Sequence, residues 1–181
     1  MWPHPAAVAR ALAAATRPAS LYLACRPSPQ LTRYICDPHG TVLLLARDDS
    51  PAAHALRPTP GEDDVAAVLE IVDDPDQPDL PSLGRVWLSG WVAPLSGVGA
   101  RAAALDFAAV HPLSDLLDVG RGVTLYRLEL AEVRLERGDR SVDIVPEDFA
   151  AAAPACPGQL ARLRARIAPD SAPPTPTPRL I

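Results

Sequence analysis

Side chains able to do chemistry are sparse in this chain and stand far apart. The four histidines, His4, His39, His54 and His111, have no Asp or Glu at metal-ligand spacing, so the sequence assigns no metal site. Cys25, Cys36 and Cys156 form no C-x-x-C pair and read as ordinary thiols rather than zinc ligands or a disulfide framework. No serine occupies a Gly-x-Ser-x-Gly elbow, and no two carboxylates can be assigned as general acid and base. The sequence therefore names no catalytic residue. Gly120-Arg121-Gly122 lacks the third glycine of a dinucleotide fingerprint and leads into a strand rather than a helix. It reads as a turn, with Arg121 reaching an anion across a subunit interface as the alternative. Trp87 and Trp91, four residues apart, share one face of a strand. They form either a core or dimer-interface pair or a wall on which a ligand stacks. His54 either contacts a cofactor or partner subunit or packs on the protein's own body. His111 suits a helix C-terminus, and His4 is given no role.

Composition narrows the classes further. All 17 basic residues are arginine, and the net charge is −5. With a pI near 5.3, general nucleic-acid binding is disfavoured. No apolar run approaches the roughly 20 residues of a membrane span. The start, MWPHPAAVARALAAAT, lacks the basic region of a secretory signal. The expectation is a cytoplasmic protein with no membrane partner.

The elements that would position these side chains follow from pattern and punctuation. Residues 5–16 form an Ala-rich helix opened by Pro5. Short apolar runs at 20–25, 31–36 and 41–46 suit antiparallel strands joined by hairpins, the second hairpin turning on DPHG at 37–40. Ser50 caps a short helix opened by Pro51. Strands over 63–74 and 83–95 follow, and Gly90 inside the second marks a bulge or a close backbone approach. Ser96 caps a helix over 97–110, with Val98, Ala102, Leu105 and Ala109 on one apolar face. The chain ends in a segment that passes from extended to helical over 142–153, then a helix over 157–167.

The strand within 116–136 carries the most information. From Thr124 to Leu130 the apolar face falls on even positions; from Ala131 to Leu135 it falls on odd ones. A one-residue slip flips every side chain, so a β-bulge near Leu130–Ala131 is required. Such a strand suits a small, strongly curved barrel. Six strands without regular helical crossovers exclude a doubly wound parallel sheet. The fold class expected is mixed α+β, a six-stranded antiparallel split β-barrel with short peripheral helices. Its domain spans 1–155, followed by a C-terminal helix over 156–168 and a disordered Pro/Thr-rich tail over 169–181.

Three phrases in order, LLLARDDSPAAHAL (43–56), VWLSGWVAPL (86–95) and LLDVGRGVTLYRLEL…SVDIVPEDFAAAAP (116–154), resemble the flavin-binding split barrels of the pyridoxamine 5′-phosphate oxidase-like superfamily. The likeness is nearer to its haem-utilisation branch, and it covers roughly residues 5–155. The resemblance implies a homodimer with a cofactor at the subunit interface: FMN first, haem or deazaflavin second. It also implies oxidoreductase chemistry. By that resemblance Arg33, Arg47 and Ser50 grip a phosphate, with His54 on the following helix; Trp91 as a stacking wall and Arg121 as an anion contact, the alternatives given above, complete the candidate cofactor-binding set. Asp48 and Asp49 stand beside this set. The histidine-bearing C-terminal α/β domain of the haem-utilisation branch has no counterpart after His111. These departures keep open the alternative of a non-catalytic homodimeric module that binds no cofactor.

Overall fold

The computed structural model describes residues 3–15, 18–24, 26–75 and 80–167. Cys25 and the tail expected over 169–181 lie outside them. Strands β1 (Ala19–Leu23), β2 (Gln30–Cys36), β3 (Val42–Arg47), β4 (Val65–Val72), β5 (Arg85–Pro94) and β6 (Val123–Arg137) follow the order β3-β2-β1-β4-β5-β6. Pairing of β3 with β6, from Val42 opposite Leu128 to Arg47 opposite Val123, closes them into an antiparallel barrel. A further short strand, β7 (Arg140–Ile144), was not expected as a separate element. It pairs with the distal part of β6, from Val133 to Arg137, beyond the end of β3. β6 can serve three neighbours because its 15 residues outrun every other strand.

The parity switch is present at the expected place. On β5, Ser89 faces Glu132 while the next residue, Gly90, faces Leu130, so Ala131 is the extra residue of a bulge. Before it Tyr126 and Leu128 point into the barrel; after it Val133 and Leu135 do. Gly90 is needed there because of close approach: a Cβ would collide with the Glu129 carbonyl oxygen and stand 3.1 Å from Ala131 N. Both of the roles expected for this glycine are therefore met at one point.

Among the described residues five helices surround the barrel: α1 (Pro5–Ala13), α2 (Pro51–Ala55), α3 (Gly97–Val110), α4 (Pro146–Ala151) and α5 (Pro157–Ile167). A 3-10 turn over Ser114–Asp118 follows α3. β3 is apolar on both faces for a reason visible in packing. Val42, Leu44 and Ala46 fill the barrel, whereas Leu43 and Leu45 join Ile35, Val123, Leu125 and Phe107 in a second core beneath α3. The face of α3 that packs is Ala100, Ala103 and Phe107. The apolar stripe read from the sequence, Val98 to Ala109, is the opposite one and faces out. Both faces of this helix are apolar, so periodicity alone did not tell which was inward.

One end of the barrel is closed around a buried cation. Arg10 of α1 is 1% exposed. Its guanidinium donates to the carbonyls of Asp37 and Pro38, each at 2.9 Å, and to Cys36 Sγ at 2.6 Å. It lies 5.2 Å from the Phe149 ring centre of α4. The DPHG turn it grips is self-supported: Asp37 Oδ1 accepts from the backbone of His39 and Thr41, each at 2.8 Å. Gly40 there has φ 88° and backs onto Ala150 of α4, so this turn excludes a side chain on two counts. His4, given no role from sequence, caps α1 through its ring nitrogen, which accepts from Ala6 N. At the same end of the barrel, α5 is fastened by Arg164, which donates to both oxygens of Asp73 at 2.6 and 2.8 Å.

Gly90→Ala is expected to lower stability by more than the roughly 1 kcal/mol of an average substitution, because backbone rather than a flexible tip obstructs the methyl. Gly99→Ala, on α3 with open space around it, is expected to raise stability by about 0.5–1 kcal/mol. Urea midpoints of the two variants measure both.

Candidate functional site

Three of the six residues assigned to a cofactor converge. Arg33 on β2, Arg47 at the end of β3 and Ser50 at the start of α2 line one cleft of about 200 Å³. They meet because Arg33 sits opposite Leu45 in the β2–β3 ladder, two residues before Arg47 on the same face. Ser50 then turns the chain into α2, its hydroxyl accepting from Ala53 N at 3.1 Å. Thr32 lines the same cleft. Its side chain is 4% exposed, and its hydroxyl has no partner among the described residues. A buried orphan hydroxyl costs free energy unless something completes it.

Both guanidiniums are already engaged. Arg33 pairs with Asp115 of the 3-10 turn at 3.0 Å. Arg47 pairs with Asp49 at 3.3 Å, the two side chains 64% and 76% exposed. Asp48 turns aside and accepts from the Thr124 hydroxyl at 2.6 Å. The acids flagged beside this set thus divide: Asp49 competes for the cleft, and Asp48 does not. Asp115 is a second competitor that the sequence reading missed. It lies 82 residues from Arg33, and nothing local signals the meeting.

The other three assigned residues stand elsewhere. His54 is exposed, and its Nδ1 lies 2.8 Å from the Ser50 carbonyl oxygen on the same helix. Arg121 donates to the Leu117 carbonyl at 2.9 Å, within a turn where Gly120 and Gly122 both have positive φ. Trp91 is 51% exposed and lines a separate apolar hollow of about 470 Å³ with Tyr22, Val68 and Gly90. Trp87 shares its outward face but is not its core partner. It donates through Nε1 to Glu136 at 2.8 Å and lines an adjoining cleft of about 590 Å³ with Glu132, Arg134 and Asp143. The bulge residue Ala131, with Ser89 and Glu132, borders both hollows.

A polar network crosses this outer face. Arg85 pairs with Glu70 at 2.8 Å, and Glu70 accepts from the Tyr22 hydroxyl at 2.8 Å. That hydrogen bond is the main reason the Tyr22 phenol is pushed above its ordinary pKa. Inside the barrel, desolvation raises the Cys36 thiol to about 11 despite the nearby Arg10 guanidinium. Cys36 is therefore a protonated, buried thiol at neutral pH, without nucleophilic character. Among the described residues no cluster of three or more metal-ligating side chains occurs, and no helix is long and apolar enough to cross a membrane.

No protein-family model matches the chain, and no curated protein matches it in sequence. Solved structures do resemble it. A heme binding protein from Mycobacterium smegmatis superposes with a TM-score of 0.67 at 23% identity, covering 91% of this chain and 69% of that one. Atu2129 from Agrobacterium tumefaciens, of unknown function, gives 0.61 at 20% identity and 80% coverage. Campylobacter jejuni ChuZ gives 0.54 at 12% identity and 78% coverage. The chain spans 59% of the length of each of the last two. These likenesses, all under 25% identical, bear out the fold, an antiparallel split β-barrel of mixed α+β class.

The buried thiol gives a test of this environment. At pH 8, Cys36 is expected to resist iodoacetamide in the folded protein while the exposed Cys156 reacts, as read by peptide mass spectrometry. Between pH 9 and 11 the unfolded chain has lost a thiol proton that the folded chain keeps. Cys36 is then expected to lower stability as pH rises through that window, by at most about 3 kcal/mol.

Proposed function

We propose that this split barrel binds a phosphate-bearing planar cofactor, FMN in the first instance, with its phosphate in the cleft of Arg33, Arg47, Ser50 and Thr32. The observation that carries the reading is that Arg33 and Arg47 line one cleft with Ser50 and Thr32, whose buried hydroxyl has no partner among the described residues. Guanidinium forks match phosphate geometry, and a Thr hydroxyl donates to an anionic oxygen as readily as to water. The ion pairs already present are exposed ones, each worth about 0–1 kcal/mol. A phosphate carrying about −1.5 to −2 charges displaces them at small cost. Asp115 and Asp49 then act as counter-charges that set affinity rather than forbid binding.

The cleft is smaller than the roughly 300–1,000 Å³ of a complete ligand pocket, so one subunit holds the phosphate end alone. A second copy of the chain is the source we assign to the remaining wall, giving a homodimer with the cofactor between subunits. Bound flavin would supply electron-transfer chemistry, and the protein's part is to anchor and orient it. Of the residues assigned from sequence, His54, Trp91 and Arg121 lie outside the phosphate cleft and are not needed for this anchoring.

A second reading is haem. It is favoured by the name of the Mycobacterium smegmatis heme binding protein, and Arg33 and Arg47 would equally suit haem carboxylates. Titration with FMN, riboflavin and haem, followed by fluorescence quenching and absorbance, separates the readings. FMN binding at least tenfold tighter than riboflavin supports the phosphate cleft; uptake of haem alone transfers the assignment to haem. Binding of none leaves the non-catalytic module. Under the first reading, Arg33→Ala and Arg47→Ala each weaken FMN about 10- to 100-fold, whereas Asp115→Asn strengthens it a few-fold.

A further inference from the structure

α3 presents two apolar faces, and only one is used. Opposite the packed face of Ala100, Ala103 and Phe107, Val98 is 83% exposed and Leu105 74% exposed, with Ala102 and Ala109 exposed between and beyond them. The spacing 98, 102, 105, 109 is the 4-3-4 step of a coiled-coil seam, with Val98 and Leu105 at d and Ala102 and Ala109 at a. Arg101 then falls at g and Asp106 at e, on opposite flanks of the stripe. Neither makes a hydrogen bond or ion pair among the described residues. They are the wrong distance apart, five residues on one helix, to pair with each other.

We propose that α3 is a homodimerisation seam, in which two copies of this chain lay their α3 helices side by side, parallel, about a two-fold axis running along them. Parallel packing brings a g residue against the e residue five positions further along the other helix. Arg101 of one copy then meets Asp106 of the partner subunit, and the reverse pair forms by symmetry. In antiparallel packing like flanks meet, which would oppose arginine to arginine and aspartate to aspartate. The charges thus select the parallel arrangement, and the small residues at a let the helices approach closely. α3 covers the outer face of β2 and β3 through Ile35, Leu43 and Leu45, and Leu45 also lines the phosphate cleft. A second copy docked on α3 therefore stands beside that cleft. The seam shares with the cofactor reading only the need for a dimer; its argument uses no cofactor and none of the anchoring residues.

Sedimentation equilibrium of the full chain tests it. The wild-type protein is expected at twice its 19.1 kDa. Leu105→Asp is expected to raise the dimer Kd by about 30-fold or more, and Arg101→Asp by about 3- to 10-fold. The double exchange Arg101→Asp with Asp106→Arg is expected to restore the wild-type Kd. These positions are exposed, so unchanged circular dichroism and melting identify the loss as one of association. A monomeric wild type overturns both the seam and the dimer invoked for the cofactor. A dimer indifferent to Leu105→Asp overturns the seam alone, and a double exchange that fails to restore pairing overturns the parallel arrangement. FMN titration of Leu105→Asp separates the outcomes: phosphate anchoring in the cleft, which needs no dimer, is expected to persist.

Discussion

The structure depends on a single extra residue. A β-strand shows alternate side chains to its two sides, so a 15-residue strand that must keep one apolar side inward cannot follow a tightly curved barrel unless that alternation is reset. Ala131 resets it. The reset leaves the distal part of β6 curling away from β3, which frees an edge for β7 and leaves room on the outer surface for the two hollows that meet at Ala131. Gly90 is the necessary counterpart, since the bulged backbone presses against the facing strand where any side chain would sit. Barrel closure, the added seventh strand and the aromatic outer surface all descend from this one irregularity.

Electrostatics around the β2–β3 cleft follow a different logic, that of exchangeable partners. Both arginines are more than half exposed and are held by carboxylates, Asp115 partly and Asp49 largely exposed, so the cleft is close to neutral without a ligand. This contrasts with Arg164 and Asp73, 16% and 11% exposed, whose bidentate pair is sealed and structural. The same residue types thus serve as a removable counter-charge in one place and as a permanent rivet in the other. Solvent access makes the difference.

Much of this architecture could be read from the chain because its signals were local. The parity switch in residues 124–135, the DPHG turn, the Ser50-Pro51 helix start and Gly90 each state their geometry within a few residues. What escaped was set by distance or by symmetry. Asp115 meets Arg33 across the fold, and β7 is a five-residue strand whose pairing depends on where β3 stops. α3 is apolar on both sides, so the inward face was chosen by Phe107 fitting between β3 and β6 rather than by any period. Of the proposed site, the shared cleft of Arg33, Arg47 and Ser50 came through the superfamily resemblance. The orphan hydroxyl of Thr32 could be known only from burial.

The guanidinium of Arg10 ties together residues separated by as many as 142 positions: the opening helix, the hairpin at 36–38 and the short helix around Phe149. During synthesis the first of these leaves the ribosome long before the last exists. Burying a cation without its full set of carbonyl and ring contacts is costly, so the opening helix gains its seat only once nearly the whole barrel has emerged. The barrel is thereby committed to a late closure, in which α1, made well before α4, settles only after it.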